Sequence, residues 1–224
     1  MAGIDHPYYP SQHKEFEILY NLQDRVLDTV FSTESLFYLT GGTCLSRFYQ
    51  AKRYSDDLDF FSNDSPRFAY ALRNVRTAIQ ESHQSTVEVE TKNFLRLTVD
   101  NSLQVDFVND GPFRYKDPVV TQQNYLIDNI ENILANKLTA VIGRDNPKDV
   151  FDIVLIYTFY HFSWAEILEA AHKKAGFADE DLAVRLKSFP KEMLGHIKCI
   201  DCSFLENFDT AIEDIIQAVI TNGT

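Results

Sequence analysis

Along residues 13 to 30, HKEFEILYNLQDRVLDTV, apolar side chains recur at Phe16, Leu19, Leu22, Val26, Leu27 and Val30, a spacing that predicts a first amphipathic helix. The period then changes. LFYLT at 36 to 40 is a short apolar run expected to be a buried strand, and it leads directly into Gly41 and Gly42. Thr43 to Gln50 returns to helix, and LDFFS at 58 to 62 reads as a second strand. Ser65 with Pro66 supplies an N-cap and first turn for a helix over 67 to 81. Three segments rich in β-branched and aromatic residues follow, TVEVE, NFLRLTV and LQVDFV, and the VDNS between the last two predicts a hairpin turn.

From about residue 122 the pattern is helical only, over 125–143, 148–160, 164–175, 179–188, 190–198 and 203–221. Turn formers gather in NDGPFRYKDP just before it. The expected fold is therefore α+β: a mixed sheet with flanking helices over 1–121, then an all-helical bundle over 122–224.

Composition narrows the classes. An apolar content of 45% in 224 residues supports a real core. No window approaches the roughly 18–20 uninterrupted apolar residues of a membrane span. The opening MAGIDHPYYPSQHKEFE lacks the basic-then-apolar order of a signal peptide, so a cytoplasmic location is expected. Three cysteines form an odd, sparse set that argues against a disulfide framework, and Cys199 with Cys202 is read as a turn of buried thiols. A net charge of −12 argues against a sequence-independent nucleic-acid binder, whose affinity comes from phosphate neutralisation.

The chemistry concentrates in the second strand. Side chains at i and i+2 of a strand share a face, so Asp57 and Asp59 project together, Leu58 and Phe60 project to the other side, and Asp56 faces away. Two carboxylates on one face of an apolar strand are costly unless a cation holds them, and Mg²⁺ (or Mn²⁺) bound by one or two carboxylates plus substrate phosphates is the common solution. Asp106, in QVDFV, is a third acid whose strand is expected beside the first; three such acids can carry two ions roughly 3.5–4 Å apart. Upstream, glycines without Cβ would let triphosphate oxygens approach a helix start, where Thr43 adds a hydroxyl.

A second constellation lies in ENILANKLTAVIGRDNPKDVFDI. Ile127, Ile130, Leu134, Leu138 and Val141 are expected to form the buried face of one helix, with Lys137 at its edge. Asp149 and Asp152, at i and i+3, share a face of the next helix, which is apolar around nearly its whole circumference. They require counter-charges, and Lys137, Arg144 and Lys148 are within reach along the chain. Two readings stand side by side: Lys137 binds a nucleotide phosphate with Asp152 orienting it, or the group is a buried ion-pair cluster tying two helices together. Trp164, Phe162 and Tyr160 are read as core or interface, not as a base-stacking platform.

Gly41-Gly42-Thr43 with Leu45, then Arg53, Ser55 and Asp57-Leu58-Asp59-Phe60, then the lysine helix and the Asp-x-x-Asp helix, resemble the AbiEii/AbiGii toxin family, which includes MenT-type toxins, within the DNA polymerase β-like nucleotidyltransferases. The resemblance covers residues 36 to 157 and departs at Lys148, where arginine is expected; the helices after 160 match nothing in it. It implies a nucleotidyltransferase that moves an NMP from an NTP to an acceptor, with the helical domain closing the active-site cleft. Asp57, Asp59 and Asp106 would be metal ligands and, with Lys137, the catalytic set. Gly41, Gly42, Thr43, Arg53, Ser55, Lys137, Asp149 and Asp152 would bind the nucleotide. It further implies a tRNA 3′ end as acceptor, which would need a basic strip around Lys52, Arg53, Arg67, Arg73 and Arg76, and a cognate antitoxin as partner. The alternatives are transfer to a protein or small molecule, for which an acidic surface is no handicap, and a nucleotide-binding module without turnover.

Overall fold

The computed structural model describes residues 14–223. Residues 1–13 of the opening stretch read for a signal peptide, which include His13 at the start of the first expected helix, lie outside them. The chain forms two compact units. The first comprises the described part of Met1–Gln50 with Ser55–Pro112 and Asp117–Asp128. The second comprises Ala51–Tyr54, Phe113–Lys116 and the described part of Asn129–Thr224.

The first unit begins with helix α1 (Lys14–Thr33), then β1 (Tyr38–Thr40), the short helix α2 (Gly41–Cys44) continued by a wider π turn over Leu45–Tyr49, β2 (Asp57–Asn63) and α3 (Phe68–Ser82). Strands β3 (Ser85–Glu90), β4 (Phe94–Val99), β5 (Leu103–Asp110), β6 (Val119–Val120) and β7 (Leu126–Ile127) complete one seven-stranded mixed sheet of order β3-β4-β5-β2-β1-β7-β6. The β4–β5 turn places both Asp100 and Asn101 at positive φ, as a two-residue hairpin turn matched to strand twist requires.

One face of the sheet makes the core. Phe60 of β2 stacks on Phe107 of β5 at 5.1 Å, Phe31 of α1 meets Phe60 edge-on at 5.7 Å, and Phe68 of α3 reaches Phe37 at 6.0 Å. The alternation along β2 is strict: Leu58, Phe60 and Ser62 are buried while Asp57, Asp59 and Phe61 are half-buried on the other face. That one-sided burial separates the acids from the aromatic core.

The second unit contains α4 (Ile130–Gly143), α5 (Pro147–Phe159), α6 (Trp164–Lys174), α7 (Asp179–Lys187) and α8 (Phe208–Asn222), with tight 3₁₀ turns over Lys191–His196 and Ser203–Asn207. Three expectations change. The helix expected from 125 starts only at Ile130, because Leu126 and Ile127 pair with β6 and β1; Asn129 then caps α4 by accepting the Asn132 N–H at 2.8 Å. Ile127 accordingly belongs to the sheet, not to the helix face. The helix expected over 190–198 and the start of the one expected over 203–221 are short 3₁₀ segments. Cys199 and Cys202 are joined by a disulfide, contrary to the reading from cysteine number; three residues of separation bring their Cα atoms to 6.0 Å, within bridging range. An odd count does not register so local a bridge.

Candidate active site

The first unit builds its site on a row running across four strands. Thr40 of β1 is opposite Asp59 of β2, Asp59 is in register with Asp106 of β5, and Asp106 is opposite Arg96 of β4. In-register residues share a face, so Asp59, Asp106 and Arg96 project together, with Asp57 two residues along β2. The exposed Asp56 stands apart, as the strand period requires.

The glycine turn abuts this row. Gly41 is held at φ +71°, and a Cβ placed on it would stand 2.6 Å from Asp59 Oδ2, so only glycine lets that carboxylate lie against the backbone. Thr43, in the first turn after it, donates its hydroxyl to the Asp57 carbonyl at 2.6 Å and lies 3.3 Å from Asp57 Oδ1. Ser55 reaches the same Oδ1 at 3.4 Å. Five predicted residues, Gly41, Thr43, Ser55, Asp57 and Asp59, are thus brought together on one strand-turn-strand frame.

Asp106 is differently engaged. Arg96 grips it with both arms, Nε to Oδ1 at 2.8 Å and Nη2 to Oδ2 at 2.6 Å, the bidentate fork that guanidinium and carboxylate form best. That bond, with the Asp106, Asp59 and Asp57 charges, holds Arg96 above its ordinary value. Among the described residues no group of three or more His, Cys, Asp or Glu side chains is gathered for a metal ion. The hard oxygen donors of Asp57 and Asp59 nevertheless suit Mg²⁺, which takes one or two carboxylates and completes its shell with water and phosphate. The Arg96 fork occupies one lone pair on each Asp106 oxygen and so competes with a metal for that carboxylate.

Behind the turn lies support that the sequence reading missed. Asp128, fully buried, accepts the Thr40 hydroxyl at 2.6 Å, and its backbone carbonyl takes the Tyr49 hydroxyl at 2.6 Å, pinning the turn at both ends. Gln23 of α1 donates to the Ser55 carbonyl at 3.1 Å and accepts from Arg47 at 3.0 Å; Arg47 in turn pairs with Asp24 at 2.6 Å. Gln23 had a signal, a polar residue between Tyr20 and Leu27 on the apolar stripe of α1. Asp128 and Arg96 had none, since their partners are distant in sequence or set by strand register.

The second unit holds the other predicted group. Lys137 of α4 sits 2.8 Å from both Asp149 and Asp152 of α5, Arg144 forks onto Asp149 at 2.7 and 3.0 Å, and Arg53 forks onto Asp152 at 2.7 and 2.8 Å. Lys137 is buried, not at the helix edge. Burial pulls its ammonium pKa down, but Asp152 and Asp149 outweigh that and hold it above the ordinary value. Burial likewise raises both aspartates, and their cations reverse it and bring them below the usual carboxylate range. The expected ion-pair cluster thus exists, with Arg53 as an unforeseen third cation that spends its fork on Asp152. Three cations against two carboxylates leave these five residues net positive.

The proposed basic strip is ion-paired at four of its five positions: Lys52 with Asp201, Arg53 with Asp152, Arg67 with Glu34 and Arg76 with Glu90. No helix among the described residues is long and apolar enough to cross a membrane.

A family model described as nucleotidyl transferase AbiEii toxin, type IV toxin–antitoxin system, matches residues 25–218. Among solved structures the chain is similar to JHP933 from Helicobacter pylori, at 21% identity and a TM-score of 0.55 over 95% of this chain and 90% of that one. It is also similar to a nucleotidyltransferase from H. pylori, at 21% identity and 0.52 over 96% and 93%. A third likeness is to MenT4, the nucleotidyltransferase toxin Rv2826c of Mycobacterium tuberculosis H37Rv, at 12% identity and 0.63 over 94% and 86%. At such identities these likenesses speak for the fold. No protein of curated function matches the sequence.

Proposed function

Because the chain belongs to the AbiEii family of nucleotidyltransferase toxins of type IV toxin–antitoxin systems, we propose that it transfers an NMP from an NTP to an acceptor hydroxyl, using Asp57 and Asp59 to hold Mg²⁺ (or Mn²⁺). The observation that carries this reading is the close seat of Asp59 on Gly41, which sets a carboxylate against a backbone turn able to receive phosphate oxygens. Bound there, the ion would neutralise charge on the triphosphate and the departing pyrophosphate. Gly41, Gly42 and Thr43 bind the phosphates, and Ser55 and Thr43 orient Asp57. The acceptor oxygen forms its bond to the α-phosphorus as the bond to pyrophosphate breaks, and Asp106 takes the hydroxyl proton once Arg96 has moved off it. Arg53 and Lys137, counted with Arg144, give this cluster its one surplus positive charge for a nucleotide phosphate, and Asp149 and Asp152 fix the cations. Positioning and fixed charge provide most of the acceleration.

A tRNA 3′ end is the first acceptor to test, in the cytoplasm where NTP, tRNA and an antitoxin would meet. The ion-paired strip favours a second reading, transfer to a protein or small-molecule hydroxyl. Incubation with Mg²⁺ and each α-labelled NTP, with and without total tRNA, separates them. Label on RNA that Asp57→Asn abolishes supports the first, and label on protein or a small molecule supports the second. Transfer undiminished in Asp57→Asn would overturn the metal assignment.

A further inference from the structure

The second unit carries a cleft of about 510 Å³ between the end of α5, the start of α6 and the α8 region, walled by Tyr157, Tyr160, Phe162, Trp164 and Phe204 with Asp214 at its rim. That volume suits a small ligand or an inserted side chain. The rings present different faces: Phe162 meets Trp164 edge-on at 5.1 Å, and Tyr157 is tilted 37° to Trp164 at 6.5 Å. Asp214 accepts the Tyr157 hydroxyl at 2.9 Å, which fixes one carboxylate oxygen beside the ring. Neither Lys nor Arg lines the cleft.

Elsewhere in this unit aromatic rings are seats for cations. Lysines lie over Phe113, Tyr115, Phe159 and Phe208 at 5.3, 5.0, 4.9 and 5.4 Å from the ring centroids. Among the described residues no cation lies over Tyr157, Phe162 or Trp164, though they stand together and have a carboxylate at hand. Aromatic faces attract a cation through the ring quadrupole, and a carboxylate at the edge strengthens and orients it. Phosphate is disfavoured: among the lining residues only His161 could carry positive charge, Asp214 stands in the lining as an acid, and the chain has a net charge of −12. A flat guanidinium fits better than a compact ammonium, because it stacks on a ring while its fork binds Asp214.

We propose that this cleft receives an arginine side chain from a basic segment of a protein partner, stacked against Trp164 and Tyr157 and hydrogen-bonded to Asp214. The inference is independent of the transferase reading.

Trp164 is the single tryptophan of the chain, so its indole N–H resonance and emission report on the cleft directly. The full chain is titrated with N-acetyl-arginine amide, with the neutral isostere N-acetyl-citrulline amide, and with adenosine. The expected result is a saturable shift with the arginine probe at about ten-fold lower concentration than with citrulline. In Asp214→Asn, an exposed position outside the core, that preference disappears while the indole signal otherwise stays as in wild type. Equal response to arginine and citrulline, an unchanged preference in Asp214→Asn, or no saturation by the arginine probe would overturn the proposal. Tighter saturation by adenosine would replace it with a base-stacking platform.

Discussion

The acid row on the sheet and the ion cluster between α4 and α5 are inverted in charge. Asp57, Asp59 and Asp106 with Arg96 sum to −2, whereas Asp149 and Asp152 with Arg53, Lys137 and Arg144 sum to +1. They differ in burial too. Asp57 and Asp59 are half-buried, and Asp149 and Asp152 are wholly enclosed. A buried carboxylate must be paired within the fold, whereas a half-buried pair can also be held by an external cation. The cluster should therefore sustain stability, and the row should sustain binding.

The sharpest break in that contrast is Asp152→Ala, which leaves Arg53 and Lys137 buried without their shared partner. A loss of about 3–5 kcal/mol in denaturant unfolding is expected. A loss below about 1 kcal/mol would place the cluster among ordinary surface pairs. Gly41→Ala comes next: a side chain at positive φ costs about 1–2 kcal/mol, and its Cβ must displace Asp59. Weakened Mn²⁺ binding should accompany the lower melting temperature, and unchanged Mn²⁺ affinity would separate Asp59 from the metal.

Acid provides a milder probe. The folded-state values of Asp149 and Asp152 are lowered, so their stabilisation is complete above the unfolded value of about 4 and is lost as pH falls through the folded values. Unfolding midpoints measured from about pH 5 downward should fall, and Asp149→Asn should flatten the decline. Lys137 has the opposite sign; its contribution is lost only in strong base, above the ordinary lysine range. Arg96→Met leaves the buried Asp106 carboxylate without its fork, and a loss of about 1–3 kcal/mol of stability is expected. It should nevertheless tighten Mn²⁺ binding by removing a competing cation from the row, and weaker binding would show that Arg96 instead organises the acids.

Much of this contrast was legible in the residues. The i, i+2 period placed Asp57 and Asp59 on one face, and the i, i+3 spacing of Asp149 and Asp152 on an all-apolar helix demanded the cations that surround them. The hairpin at Asp100-Asn101 followed from turn chemistry. Strands β6 and β7 did not, because two-residue strands have no readable period and exist by pairing with each other and β1. Arg53 with Asp152, Thr40 with Asp128 and Arg96 with Asp106 escaped for one reason: tertiary placement and strand register choose such partners, and local sequence carries neither.

In the proposed site Asp57 binds metal without being needed for the fold. Mn²⁺ affinity by electron paramagnetic resonance and melting temperature, measured together on wild type, Asp57→Asn and Asp152→Asn, test it most directly. Asp57→Asn is expected to lose Mn²⁺ binding and to melt with wild type, while Asp152→Asn melts well below it. Wild-type Mn²⁺ affinity in Asp57→Asn, or a collapse of its melting temperature, would contradict it.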